Sequence, residues 1–368
     1  MQRWAEWFSN RNHEVHLITD HPVPMGKFIT HDISWETDTR PRYIRYRELG
    51  FNIKSIRLIK TILRVRKLVN DINPDVLHLH TLYYPSYLGI YTNFRPLVVT
   101  PWNGDVLWSQ KRSIAHKYLV KYILRHADLV THNSLQMRDR CISLGMRNNK
   151  LHMVQCPGVD LKSFYPQGKS EEFKQSLNLG NSPIVLSTRS ISDEYNIDII
   201  VKSIPYVLTK IPQVKFVFVW HFGSEEKIGK MTKMINDMGI ESAVRLLGKK
   251  DYAELPKYFN IADVFVSVSS CDSAPMSLLE AMACGVPPVT ADHPAVNELV
   301  KDVWNGYVVP QRNPEATAQA IIKLLEDEKM RKLFAERNLK WVRENADLDK
   351  NMGKVEELYY SLVKETRR

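Results

Sequence analysis

Residues able to do chemistry concentrate in one stretch, Ser267–Pro287, which reads SVSSCDSAPMSLLEAMACGVP. A β-branched run, Val264–Val268, leads into a loop of small residues, after which Leu278, Leu279 and Met282 recur at helical spacing. Ser273 suits the cap of that helix and Pro275 its first turn, while Gly285 suits a left-handed end that Pro287 keeps from resuming. The pattern predicts strand, tight loop and helix N-terminus at the C-terminal edge of a parallel sheet, where open α/β sheets bind ligands. The N–H groups of Ala274–Ser277 and the helix dipole suit a diphosphate. Asp272 precedes the helix and Glu280 is expected two turns inside it. Eight residues of helix rise about 12 Å, too far for the paired carboxylates of a glycosidase, which need about 5–9.5 Å. The spacing fits two contacts on one long ligand, a sugar at one end and a ribose at the other. The competing reading is a surface Asp and a solvated helix Glu.

Strand-like and helix-like runs alternate along the whole chain of 368 residues, a length that predicts two domains. Strand candidates in the first half are Glu14–Thr19, Asp75–His80, Leu97–Thr100 and Leu129–Asn133. In the second half they are Ile184–Ser187, Val214–Trp220, Val244–Leu247, Val264–Val268, Val286–Thr290 and Tyr307–Val309. Most are continuously apolar, as parallel strands covered on both faces are. Helical stretches such as Lys54–Asp71, Ile114–His126, Asp198–Thr209 and Pro314–Asn345 lie between or after them, which predicts doubly wound α/β domains. The Pro- and Gly-rich run Cys156–Gly168 marks the linker. The expected division is a domain over residues 1–165, a second over 166–345 and a terminal helix over 346–368 that packs back on the first.

Cys141, Cys156, Cys271 and Cys284 show no metal-site spacing and form no disulfide framework, so all four are read as reduced thiols. Cys271 is read as a small buried residue rather than a nucleophile, because no His is near it in sequence. No apolar run approaches the length of a membrane span and the N-terminus lacks the apolar centre of a signal peptide, so the expected location is cytoplasmic. The net charge of +10 is uneven: residues 1–165 hold 24 Lys and Arg against 13 Asp and Glu, and the rest hold 27 against 28. A basic first half suggests an anionic partner there, such as a membrane surface or lipid pyrophosphate; dispersed basic residues without a recognition motif argue against nucleic acid.

The D-x7-E spacing followed by AMACGVP resembles the E-x7-E signature of glycosyltransferase family 4. Seven further segments fall in the family's order: DVLHLH (75–80), TPWNGDVL (100–107), ADLVTHNS (127–134), PGVDLKSF (157–164), STRSI (187–191), LLG (246–248) and ADVFVSVSS (262–270). The resemblance implies a GT-B fold, two doubly wound Rossmann-like domains facing a central cleft, with acceptor bound by the first and nucleotide-sugar donor by the second. It implies a retaining transfer without metal or other cofactor, the leaving diphosphate helping to deprotonate the acceptor. Glu280 would bond the ribose, Asp272 the transferred sugar and Arg189 the diphosphate, with backbone amides at Pro275–Ser277 completing the cradle. Ser273, Ala274, Met276, Gly223 and Tyr195 join the donor side; Asn103, Gly104, Asp105 and His80 are acceptor-side candidates. The acceptor would be a surface polysaccharide or lipid-linked glycan.

Departures from the family pattern accompany these assignments. Asp stands at 272 where the family has Glu, and Glu194 and Tyr195 stand near where a phosphate-binding lysine is usual. The loop at Trp102–Gly104 has no histidine. The chain opens on the helix Gln2–Asn10, without the first, central strand that the family places before it. These departures keep two alternatives in view, a catalytically inactive sugar-nucleotide-binding protein and a nucleotide-sugar 2-epimerase of the same fold.

Overall fold

The structure, a computed structural model, describes residues 2–20, 26–33, 51–107, 113–155 and 157–367. Cys156 lies outside them. The chain divides into two compact units, one of residues 1–133, 137–157 and 352–368, the other of 134–136 and 158–351.

In the first unit, α1 (Gln2–Ser9) precedes β1 (His16–Thr19) and β2 (Ile29–Asp32). There follow α2 (Phe51–Ile72), β3 (Leu77–His80), β4 (Leu97–Thr100), the short α3 (Gly104–Leu107), α4 (Ile114–His126), β5 (Leu129–His132), α5 (Leu135–Ser143) and β6 (Leu151–Met153). β2 and β6, which the sequence reading missed, are short and carry polar residues (ITHD and LHM), so neither shows a buried-strand pattern. α4 has the predicted bounds because Ser113 caps it, accepting from the His116 N–H.

The second unit holds α6 (Glu171–Ser176), β7 (Ile184–Ser187), α7 (Ile197–Leu208), β8 (Lys215–Val219), α8 (Glu225–Asp237) and β9 (Val244–Gly248). It continues with α9 (Leu255–Ile261), β10 (Val264–Ser267), α10 (Met276–Ala283), β11 (Pro288–Ala291), β12 (Tyr307–Val309), α11 (Pro314–Glu326) and α12 (Glu328–Asn345). α13 (Leu348–Thr366) begins in this unit and, from Met352, belongs to the first. The expected single run Pro314–Asn345 is two helices. Asp327 ends the first and caps the second, its carboxylate accepting from the Met330 N–H at 2.8 Å.

The second unit's six strands are all parallel in the order β12-β11-β10-β7-β8-β9. Alternate residues leave the sheet on opposite faces. Val185, Phe216 and Val264 pack with Ile200, Ile204 and Ile321 on one face. Ile184, Val217 and Phe265 pack with Phe259, Leu278 and Met282 on the other. Covering both faces is why the strands read as continuously apolar, and each fully buried aliphatic side chain contributes about 1.5–3 kcal/mol. The strand order reverses between β7 and β10, so the loops after those two strands diverge from one crevice at the C-terminal edge.

The first unit shows the same plan with an interruption. Among the described residues β1 pairs only with β2, and β3 begins a four-stranded parallel sheet, β3-β4-β5-β6. Between β1 and β3 lies a cavity of about 570 Å³, lined by residues of both strands, by Trp4 and Phe8 of α1, Val65 and Val69 of α2, and Tyr359 of α13. A four-residue strand rises about 13 Å, takes about 4.8 Å of sheet width and fills a layer about 10 Å thick, about 630 Å³ in all. One more parallel strand there would give this unit the strand order of the second. The sequence reading placed a first, central strand before α1, and this slot is the position such a strand would take.

Candidate active site

At the C-terminal edge of the second sheet, β10 runs into the loop 268–275 and then into α10. Pro275 is the N-cap of α10, and no side chain caps the helix. This corrects two expectations: Ser273 is not the cap, and Glu280 lies one turn, not two, inside the helix. The Leu278 and Leu279 N–H groups donate to the Pro275 carbonyl. Pro275 itself has no N–H, so the amides the helix leaves for a ligand are those of Met276 and Ser277. The far end is as expected. Gly285 takes φ +75°, its N–H reaches the Met282 carbonyl, and the Val286 N–H reaches that of Ala281, a Schellman ending.

Arg189 follows β7 and meets this loop across the crevice. Its Nη2 donates to Asp272 Oδ2 at 2.5 Å and its Nη1 to Ser277 Oγ at 2.9 Å. Both partners of the ion pair are buried, with side chains 9% and 8% exposed. Asp272 is held further by the Ser269 hydroxyl and by the Ser273 N–H. The ring of Tyr195 lies under the guanidinium, 4.1 Å away, and burial pushes its hydroxyl's pKa above the ordinary value. Where the family pattern has a lysine, this chain supplies an aromatic face that steers the arginine. Asn196 Nδ2 donates to the Val268 carbonyl and to Ser270 Oγ, stitching the loops after β7 and β10 together.

Glu280 is 4% exposed, which rules out a solvated helix Glu. Tyr252 Oη donates to its Oε1 at 2.9 Å. Sequence reasoning missed Tyr252, whose flanking residues form only a short turn. Gly223 approaches the loop after β7 closely: the Ile191 N–H donates to the Phe222 carbonyl, and a Cβ at 223 would meet Ile191 Cβ at 3.1 Å. Its visible role is loop packing. Ala274 and Cys271 are buried in the same loop. Cys284, behind Glu280, is pushed up to about 12 by burial and then by the Glu280 charge, so it stays a thiol.

The acceptor-side candidates belong to the first unit. Asp105 is fully buried, and its carboxylate accepts from the N–H groups of Leu82 and Trp102. Burial outweighs those bonds and pushes it up to about 6. It ties two loops together, and Asn103 (φ +46°) and Gly104 form the turn it organises. His80 ends β3 in an aromatic group, 4.0 Å from the His78 ring and 4.6 Å from Trp4.

Five of the nine buried side-chain polar atoms that lack a hydrogen-bond partner among the described residues belong to the second unit's C-terminal edge: Ser187 Oγ, Thr188 Oγ1, Arg189 Nε, Asn196 Oδ1 and His293 Nδ1. Unmatched buried polar atoms are rare in folded proteins, and their gathering at one sheet edge marks where a polar ligand would complete the structure.

Comparison with known proteins agrees with this geometry. Residues 168–341 match the family model described as Glycosyl transferases group 1, and residues 1–134 match Glycosyl transferase 4-like. The chain is 23% identical to UDP-Gal:alpha-D-GlcNAc-diphosphoundecaprenol alpha-1,3-galactosyltransferase of Escherichia coli over 97% of its length and 92% of that protein. Sucrose-phosphate synthase from Thermosynechococcus elongatus superposes with a TM-score of 0.83 at 19% identity, covering 99% of this chain and 92% of that one. Anabaena HepE, solved in complex with UDP and glucose, superposes with a TM-score of 0.73 at 20% identity over 82% of each chain. Two Rossmann-like units in the GT-B manner, a buried Arg189–Asp272 pair at a helix N-terminus and matches along most of the chain lead to one statement: this chain belongs to the group 1, or family 4, glycosyltransferases.

Proposed function

We propose that the protein transfers a sugar from a nucleotide-diphospho-sugar to a glycan or lipid-linked acceptor with retention of anomeric configuration. The observation that carries this reading is the convergence of Arg189, Ser277 and the Met276–Ser277 amides at one helix N-terminus, with Asp272 before it and Glu280 one turn in. Arg189 and the amides bind the diphosphate and stabilise charge on the leaving group. Glu280, fixed by Tyr252, accepts from the ribose hydroxyls. Asp272 accepts from hydroxyls of the transferred sugar. The leaving diphosphate takes the proton of the attacking acceptor hydroxyl on the same face, so no enzyme nucleophile, metal or other cofactor is required.

The E. coli relative's name specifies a diphosphoundecaprenol acceptor, which supports a lipid-linked acceptor here. No helix among the described residues is long and apolar enough to cross a membrane, and the proposed location is peripheral, on the cytoplasmic face. Support comes from α2, which exposes Arg57, Lys60, Arg64, Arg66 and Lys67 beside the exposed Ile59 and Leu63. α4 exposes Ile114, Tyr118 and Tyr122, with Lys117 and Arg125 on its open side.

The test is a panel of UDP-, GDP- and ADP-linked sugars, with and without EDTA, scored for hydrolysis or transfer. Slow turnover of one donor that survives EDTA is expected, and product NMR should show the donor's anomeric configuration. Binding without turnover under every condition would favour an inactive sugar-nucleotide-binding protein, and loss in EDTA restored by manganese would overturn the metal-free reading.

A further inference from the structure

His293 follows β11, the strand that pairs with β10 in the register Ser267↔Thr290. The loops after these neighbouring strands therefore emerge side by side at the edge that carries Asp272. The turn bearing His293 is clamped. Asn297 Oδ1 accepts from the His293 N–H, Asn297 Nδ2 donates to Asp292 Oδ1, and the Asn297 N–H donates to the His293 carbonyl. From the next strand, the Asp292 N–H donates to the Val309 carbonyl and Gln311 Nε2 donates to the Asp292 carbonyl. Four of these five hydrogen bonds hold the backbone of residues 292–293, while the imidazole makes none with the described residues.

The residue is only 5% exposed, and Nδ1 is enclosed without a partner. Burial lowers its pKa, opposed by the charges of Asp272 and Asp292. A neutral imidazole carries one donor and one acceptor, and leaving the enclosed Nδ1 unmatched is unfavourable. A ring rigidly held, buried and unmatched beside the Asp272 charge is matched by a ligand hydroxyl.

We propose that His293 is a further donor-site residue, its imidazole hydrogen-bonding a hydroxyl of the transferred sugar beside the one held by Asp272 and thereby setting which sugar is accepted. This rests on the reading of Asp272 as a sugar contact. A carboxylate that only accepts and an imidazole that both donates and accepts fix the direction of two hydroxyls. Inverting either hydroxyl breaks a bond and leaves a buried group unpaired, the strongest form of sugar discrimination available to such a site.

The experiment compares dissociation constants of the full chain for UDP and GDP with those for their glucose, galactose and mannose conjugates, for wild type, His293→Ala, His293→Asn and Asp272→Asn. Wild type should prefer one conjugate. His293→Ala should weaken that conjugate about 10–100-fold while free nucleotide binding changes less than twofold, and the preference among epimers should collapse. His293→Asn, which keeps a donor and an acceptor, should restore part of it. A His293→Ala protein that binds nucleotide as wild type does and keeps the full preference overturns the inference alone. Loss of nucleotide and conjugate binding together in both His293 variants assigns the residue a structural role and overturns it as well. A wild-type chain that binds every conjugate as it binds the free nucleotide, with Asp272→Asn indistinguishable, overturns the underlying donor-site reading.

Discussion

Arg189 and Asp272 are buried together, and a buried ion pair behaves asymmetrically under mutation. Removing one partner strands the other charge, which typically costs about 3–5 kcal/mol. Arg189→Ala is therefore expected to lower both stability and turnover, the latter by roughly 10²–10³ because a donor aimed at the leaving group is lost. Arg189→Lys separates the effects: it keeps the charge but not the two-pronged geometry toward Asp272 and Ser277. Near-normal melting with a large kcat deficit is expected. A kcat within threefold of wild type in both variants would mean that another cation acts on the diphosphate. At the other end of the site, Glu280→Ala should weaken nucleoside diphosphate binding by the about 1.5–3 kcal/mol of a charged hydrogen bond. Tyr252→Phe should weaken it less, since it only frees the carboxylate. Unchanged affinity for every nucleotide in Glu280→Ala, measured by calorimetry, would remove Glu280 from the ribose.

Among the elements, β3 carries the clearest pH dependence. His78 Nε2 lies 2.7 Å from Thr100 Oγ1, and its Nδ1 meets the Tyr359 hydroxyl of α13. Burial pushes His78 down to about 3; His80 is pushed well below its ordinary value by burial and then by His78. Below about pH 6.5 the unfolded chain binds protons on these rings that the folded chain refuses. Their contribution to stability is complete above pH 6.5 and is lost as pH falls toward 3. Asp105, raised to about 6, acts oppositely, being most favourable when protonated and weakening the fold as pH rises from about 4 to 6. Two histidines against one carboxylate leave a net loss of stability on acidification. Urea midpoints at pH 7, 5.5 and 4 should fall in that order, and His78→Gln should flatten the trend; a flat wild-type profile would contradict the burial argument. α2 carries a second prediction. Its buried residues include Thr61, Val65 and Val69, which leaves Ile59 and Leu63 exposed among the cations. Each basic residue near an anionic bilayer contributes about 1 kcal/mol, screened by salt. Co-sedimentation should require anionic vesicles, fall steeply with salt and weaken when Lys60, Arg64 and Lys67 become Ser. Equal partition to neutral and anionic vesicles would leave α2 as a solvated core helix.

At the scale of the whole molecule, the two units share one winding plan, each with six described strands, and differ in how those strands are joined into sheets. The second has a continuous six-stranded sheet; the first has two pieces separated by a slot that β1 and β3 both line. Unpaired strand edges beside an apolar cavity forfeit hydrogen bonds and packing contacts together. Trp4 of α1 sits against the His78 and His80 rings at the C-terminal end of β3. A parallel strand in the slot would end beside the start of α1, so a short connection suffices.

The sequence alone determined the alternation of elements and the bounds of β4, β7, β12 and α4, because apolar runs and caps such as Ser113 are local signals. It also determined the strand–loop–helix frame around Asp272 and the Gly285 ending of α10. Tertiary structure decided what local pattern cannot encode. Asp272 reads in sequence as a loop carboxylate and becomes half of a buried ion pair only because the strand order brings Arg189, 83 residues away, across the crevice. Glu280 acquires Tyr252, and His293 comes beside Asp272, for the same reason: parallel sheets gather the ends of distant strands at one edge. The separation of β1 and β3 by a slot is likewise a tertiary feature, since α1, α2 and α13 line it together with both strands.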